Sequence, residues 1–173
     1  MEKYKIIFDS LNIDFVEVNN DLINDYLLMI NDEEIQKRIS TNRRVYTYDD
    51  ELSWLKDKIN NNASVFSMIE KNSGSFIGNV EIMNIENKTG ELGICITPKF
   101  QDKHYGSEAI SRMIKYGFEE LDLDEIILVV FSNNLRAVHC YKKAGFVEYK
   151  KVLNVTNIDG EDVDDIYMSL KRK

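Results

Sequence analysis

The chain has 173 residues, a length that suits one domain spanning residues 1–173 and can bury a sizeable core. Its 43% apolar and 30% charged residues are ordinary for a soluble globular protein. A net charge of −8 and a pI near 4.9 repel phosphate backbones, so nucleic acid is not expected as a partner, whereas a cationic substrate would be drawn in.

No segment is built to span a bilayer, and no membrane partner is expected. The longest purely apolar run, IILVVF at residues 126–131, is strand-length, against the roughly 20 residues a spanning helix needs. The start, MEKYKIIFDS, mixes charges with apolar residues and lacks the apolar stretch and cleavage site of a signal peptide, so a cytoplasmic location is expected. The two cysteines, Cys95 and Cys140, agree with a reducing compartment. They are too few for a zinc site, and neither His104 nor His139 stands at ligand spacing from them. No metal is expected, and the thiols read as small buried groups.

In chain order, a strand is expected over residues 13–18. A helix follows in which Leu22, Ile23, Tyr26, Leu27 and Ile30 recur at helical spacing. A polar stretch reaches Ile39, and a second helix starts at about Asp49. Asp49 and Asp50 are its expected caps, with Leu52, Leu55 and Ile59 on one face.

A meander comes next. VFSMIEK, FIGNVEIMNI and ELGICIT are separated by NSGS and ENKTG, which are turn chemistry between strand formers. Gly78 and Gly93 inside these strands point to bulges or close backbone approach.

The last part changes character. Ile110, Met113, Ile114, Phe118 and Leu121 mark an amphipathic helix over residues 106–121, and the buried strand 126–131 follows. Strand, helix, strand predicts a parallel pair joined by a right-handed crossover. Another helix is capped by Asn133 or Asn134 and ended by Gly145. Two final strands, near 147–155 and 163–170, are joined by NIDGED.

This order excludes a doubly wound nucleotide fold. It predicts an α+β protein with a mixed, mainly antiparallel central sheet of about seven strands flanked by helices on both faces. A cleft is expected where the sheet changes from antiparallel to parallel.

Two stretches carry chemistry. TPKFQDKHYGSEA leads from a strand into a helix, whose N-terminal N–H groups and partial positive charge suit a pyrophosphate, with Lys103 adding a mobile charge. Every helix has such an end, so the loop alone is weak evidence. NNLRAVHCYKKAGF places His139, Cys140 and Tyr141 side by side. Successive helical side chains turn by about 100°, so only one of them can face a given atom.

Read together, these stretches resemble the GNAT N-acetyltransferases over about residues 91–146. Gln101, His104 and Gly106 fall on the loop pattern Gln/Arg-x-x-Gly-x-Gly/Ala. Asn134, Ala137, Tyr141, Gly145 and Phe146 fall on Asn-x-x-Ala-x-x-x-Tyr-x-x-x-Gly-Phe. The resemblance implies the acyl-CoA N-acyltransferase fold, acetyl-CoA as cosubstrate, and direct transfer of the acetyl group to a primary amine.

The implied cofactor contacts are Ile94, Cys95 and Ile96 on the strand, Gln101, Asp102, Lys103, His104, Tyr105, Gly106 and Ser107 in the loop, and Asn134, Ala137 and Tyr141 beyond it. Tyr141 falls on the general-acid position; the alternative is a tyrosine that only packs beneath the cofactor. His139 then points elsewhere, and Cys140 belongs to the core. Glu91 is the candidate base, because alternation sets it on the face of Gly93 and Cys95; the alternative is a solvent-facing strand-end glutamate. The departure is His104, which stands where the pattern has glycine. Either it takes up the loop's conformation with its ring pointing out, or cofactor binding weakens.

The acidic runs NDEE, DDE and EDVDD favour a cationic amine if any line the cleft. The layout is similar to the spermidine and ribosomal-protein acetyltransferases, which implies a polyamine or other small amine, with a protein N-terminus as runner-up and aminoglycosides still open. A homodimer is a family-level expectation. A CoA-binding sensor without turnover is the reading from another class; His104 supports it, and intact Tyr141 and Asn134 oppose it.

Overall fold

The computed structural model describes residues 4–157 and 159–173. Residues 1–3 of the chain's start and Ile158 of the NIDGED turn lie outside the described residues. The elements run β1 (Ile6–Asp9), β2 (Ile13–Glu17), α1 (Ile23–Ile30), α2 (Glu33–Ile39), α3 (Tyr48–Asn60), β3 (Ser64–Glu70), β4 (Phe76–Glu86) and β5 (Thr89–Ile96). They continue with α4 (Tyr105–Glu119), β6 (Glu125–Phe131), α5 (Leu135–Lys143), β7 (Val147–Thr156) and β8 (Asp162–Lys171).

All strands join one sheet in the order β1-β2-β3-β4-β5-β6-β8-β7, a mixed α+β architecture as expected. Among the described residues the strand count is eight rather than about seven, the addition being β1. That strand shows no apolar alternation, because three of its four side chains are exposed. Phe8 anchors it, stacking on Phe15 at 4.7 Å and on Tyr116 at 5.1 Å between ring centroids.

Two apolar clusters flank the sheet. One packs Ile110 and Met113 of α4 against Val80, Ile82, Ile126 and Leu128. The other packs Ile23, Tyr26 and Met29 of α1 and Leu55 of α3 against Val16, Val65 and Ile69. Gly117 lets α4 sit close to the sheet, since a Cβ there would come within 2.9 Å of Ile82 and Ile126.

Two expectations for α3 need correction. Thr47, not Asp49 or Asp50, is the cap. The Thr47 hydroxyl accepts from the Asp50 N–H at 3.3 Å while the Asp50 carboxylate accepts from the Thr47 N–H at 2.8 Å, a capping box that starts the helix one residue earlier. Leu55 is buried, but Ile59 at the far end of the helix is 52% exposed.

The feature that positions the site lies between β5 and β6. Their parallel ladder covers only Thr89, Gly90 and Glu91 against Glu125, Ile126 and Ile127. Beyond it β6 pairs with β8 alone, so β5 from Leu92 to Ile96 keeps a partner only on its β4 side and a gap opens on the other. Gly78 of β4 fixes that course. A Cβ there would lie 2.0 Å from the Cys95 carbonyl oxygen, so only glycine allows the two backbones so close. The contact expected at Gly93 is softer, a would-be Cβ meeting the mobile end of Met83 at 2.7 Å.

Candidate functional site

Two cavities meet in the gap. The first, of about 370 Å³, lies between the loop before α4 and the first turns of α5. It is lined by Ile94, Cys95, Ile96, Gln101, Asp102, His104, Gly106 and Ser107, with Asn134, Ala137 and Tyr141 facing them. These are the cofactor contacts implied by the motifs, apart from Lys103 and Tyr105. The Lys103 ammonium instead lies over the Phe100 ring, and the Tyr105 hydroxyl donates to Glu70 at 3.2 Å.

His104 is in the left-handed region (φ 68) and exposed, so histidine takes up the backbone conformation of the turn where the pattern has glycine, and it borders the cavity. The first-turn N–H groups of α4 have no preceding carbonyl in the helix, and the first helical bond runs from Glu108 to His104 at 3.1 Å. The cavity thus offers what a pyrophosphate needs: backbone donors at the positive end of a helix, next to a strand edge free to take an amide-bearing arm.

Tyr141 stands where the two cavities join, together with Ile94, Cys95, Asn134, Arg38 and Ile39, which line both. Asn134 caps α5, its side-chain oxygen accepting the Ala137 N–H at 3.4 Å and the Arg38 guanidinium at 3.4 Å. Tyr141 is 7% exposed, and burial, followed by the nearby Cys140 and Cys95, pushes its hydroxyl above the usual phenol range. The group is therefore held protonated throughout the working pH range.

Burial also pushes the Cys95 thiol up to about 12, with a smaller contribution from Asp32, which makes it inert. Cys140 packs partly against the core with its sulfur 3.3 Å from the Ser107 hydroxyl, and His139 is exposed on the adjacent face. The three adjacent residues differ in burial, Tyr141 being buried, Cys140 half-buried and His139 exposed, yet His139 and Cys140 also border the first cavity, so helical geometry does not take them away from it.

The second cavity, of about 680 Å³, lies on the other side of Tyr141, under α1, α3 and the loop between α2 and α3. Alternation brings Glu91, Gly93 and Cys95 of β5 to it, with Asn79, Glu81 and Met83 of β4 opposite. Glu91 is half-buried at the end of the parallel ladder and accepts from the Asn84 amide at 2.9 Å. Glu81 is neutralised by Lys58, and Asp50 by Arg44 at 2.6 Å.

Two further carboxylates differ. Glu51 and Asp165 line the cavity, burial pushes both above the usual carboxylate range (with the neighbouring Asp50 adding to the effect on Glu51), and among the described residues no side chain pairs with either. Of the acidic runs, DDE and EDVDD therefore reach the cavity. The two glutamates of NDEE are solvated instead: Glu33 pairs with Arg43 at 3.1 Å and Glu34 with Lys37 at 3.2 Å.

The wall of this cavity also depends on polar side chains that carry no sequence signal. Asn31 exchanges two hydrogen bonds with the backbone of Tyr46, at 2.9 and 2.8 Å. Buried Gln36 donates to the carbonyls of Ile30 and Arg44, at 3.0 and 2.6 Å. Arg136 is another residue that sequence reasoning missed. It lines the first cavity and donates to Gln101 at 2.7 Å and to Asp102 at 2.9 Å.

Comparisons with known proteins agree with this geometry. The family model of the acetyltransferase (GNAT) domain matches residues 13–147. A spermidine N(1)-acetyltransferase of Vibrio cholerae serotype O1 is 32% identical over 143 residues, 75% of this chain and 83% of the relative. The acetyltransferase PseH of Campylobacter jejuni subsp. jejuni is 25% identical over 158 residues, 91% of each chain. The fold is that of a Vibrio cholerae spermidine N-acetyltransferase crystallised with CoA and spermine, with a TM-score of 0.85 at 24% identity, covering 92% of this chain and 95% of the other. With a family match across most of its length, the chain belongs to the GNAT acetyltransferases.

Proposed function

We propose that this protein transfers the acetyl group of acetyl-CoA directly to a primary amine of a small polycationic acceptor, a polyamine in the first instance. The observation that carries the reading is the meeting of a cavity suited to a pyrophosphate arm with a carboxylate-lined cavity at one buried tyrosine. The Vibrio cholerae relative, whose name gives spermidine as its substrate, supports the choice of acceptor.

Acetyl-CoA supplies an activated thioester; the chain supplies the rest. The α4 amides, with Gln101, Gly106 and Ser107 in that turn, receive the diphosphate, and Ile94, Cys95 and Ile96 present backbone groups to the pantetheine and to the developing oxyanion. An alkylamine is charged at neutral pH and must lose a proton before it attacks; Glu91, directly or through water, accepts it. Tyr141 gives its proton to the departing thiolate. Burial raises the Tyr141 hydroxyl, which keeps it in the protonated form that donates, and a thiolate leaving group in the same desolvated place is made more basic as well. Glu51 and Asp165 serve as counter-ions for the acceptor's ammonium groups.

Thiol release from acetyl-CoA is measured against spermidine, spermine, short diamines, monoamines, an aminoglycoside and a ribosomal-protein N-terminal peptide. Turnover with polyamines well above that with monoamines is expected. Preference for the peptide would move the acceptor to a protein N-terminus. No release above hydrolysis with any amine, while CoA still raises the melting temperature, would make the protein a CoA-binding sensor.

A further inference from the structure

Arg136 lies in the first turn of α5, on the rim of the cofactor cavity. Its guanidinium bridges to the loop before α4, with Nη2 donating to Gln101 Oε1 at 2.7 Å and Nη1 to Asp102 Oδ2 at 2.9 Å. Gln101 is tied on its other side, Nε2 donating to the Ile96 carbonyl at 2.8 Å. The bonds form a chain from α5 through the loop to the end of β5.

The loop needs an external tie. Asp102 (φ 58) and His104 (φ 68) both occupy the left-handed region, which glycine enters freely and residues with a Cβ do not. A loop with side chains at both positions favours other backbone states when left to itself. Asp102 also puts a carboxylate on the cavity that is to receive phosphates.

We propose that Arg136 is a positioning residue for the cofactor. It holds the loop in its receiving shape and neutralises Asp102, so that a side-chain clamp does what conformational freedom would do if glycine stood at 102 and 104. The inference rests on the acetyl-CoA reading of this cavity.

The test compares wild type, Arg136→Met, Arg136→Lys, the double variant D102G/H104G, and the triple variant that combines it with R136M. For each, KM for acetyl-CoA, kcat at saturating cosubstrate and the melting shift induced by CoA are measured. Arg136→Met raises KM for acetyl-CoA about fivefold and shrinks the CoA-induced shift, with kcat held within about twofold. Arg136→Lys falls between, since an ammonium cannot bridge both partners in plane. In the glycine background, loss of Arg136 changes KM by less than about twofold, because the loop no longer needs the clamp.

An unchanged KM in Arg136→Met overturns the proposal. So does the same fivefold loss in the glycine background, which would mark Arg136 as a direct phosphate contact. If wild type itself neither turns over acetyl-CoA nor is stabilised by CoA, the cofactor reading falls and takes the clamp with it.

Discussion

Tyr141 and Glu51 are both buried titratable groups, and burial acts on them in opposite functional senses. For the phenol, desolvation favours the neutral form, which is the form that donates a proton. Tyr141→Phe is expected to lower kcat about 100-fold while the CoA-induced melting shift is retained, because the ring still fills its place beside Phe146. Undiminished kcat would return Tyr141 to a packing role.

For Glu51, desolvation disfavours the charged form that an ammonium requires, so the site is less stable without its acceptor than with it. Its carboxyl pKa is raised in the folded chain. The stability that goes with the raised value is full below the unfolded pKa near 4.3 and is lost as pH rises through the folded one. Glu51→Gln therefore raises the melting temperature at neutral pH, by about 1 kcal/mol or roughly 2–4 °C, and the difference closes in acid. The same variant raises KM for the polyamine, and in wild type KM climbs as pH falls into the range where Glu51 takes up its proton. A lower melting temperature together with unchanged polyamine KM would remove Glu51 from the acceptor site.

At the scale of elements, the site exists because β5 parts from β6 after Glu91, and β4 decides where β5 goes. The Cys95 carbonyl lies against Gly78, with no room for a methyl group. Gly78→Ala must push the two strands apart. A loss of about 1–3 kcal/mol of stability is expected, with kcat falling more than the stability loss explains, since Ile94 to Ile96 move with the strand. Wild-type kcat in a folded Gly78→Ala protein would show that the position of β5 is not critical.

The elements carrying the chemistry were legible because their signals are local. The α5 motif is one helix with its cap and its terminating glycine, and the loop into α4 is one strand-to-helix turn. The capping box at Thr47 was also within reach, as Thr47 and Asp50 stand at the required spacing, but the neighbouring aspartates masked it. β1 was not legible: an edge strand with mostly exposed side chains has no periodicity, and what holds it is tertiary, the ladder with β2 and the packing of Phe8 on Phe15 and Tyr116.

At the scale of the whole molecule, the net charge of −8 and the carboxylates of the larger cavity act on the same substrate over different ranges. In the proposed function the overall field guides a polycationic acceptor toward the protein, and Glu51 and Asp165 are its counter-ions in the cavity. The expected outcome is that kcat/KM for spermine falls steeply between low and physiological salt, while a monoamine acceptor is affected much less. Equal salt sensitivity for the two amines would confine electrostatics to the contacts inside the cavity.

The sequence by itself determined the fold class, from the order of its elements, and the family, from two motifs; it also pointed to the loop into α4 and to Tyr141, because those signals lie in residues close together in the chain. Only the tertiary structure decided which carboxylates line the larger cavity. Glu51, Glu91 and Asp165 come from a helix, a central strand and the penultimate strand of the sheet, and they meet only when the gap beside β5 forms. A run of acidic residues reads the same whether water or a cavity surrounds it, and burial is what separates the two cases. Glu33 and Glu34 of NDEE are neutralised at the surface by Arg43 and Lys37, whereas the carboxylate that ends DDE is desolvated in the cavity and, among the described residues, has no side-chain partner.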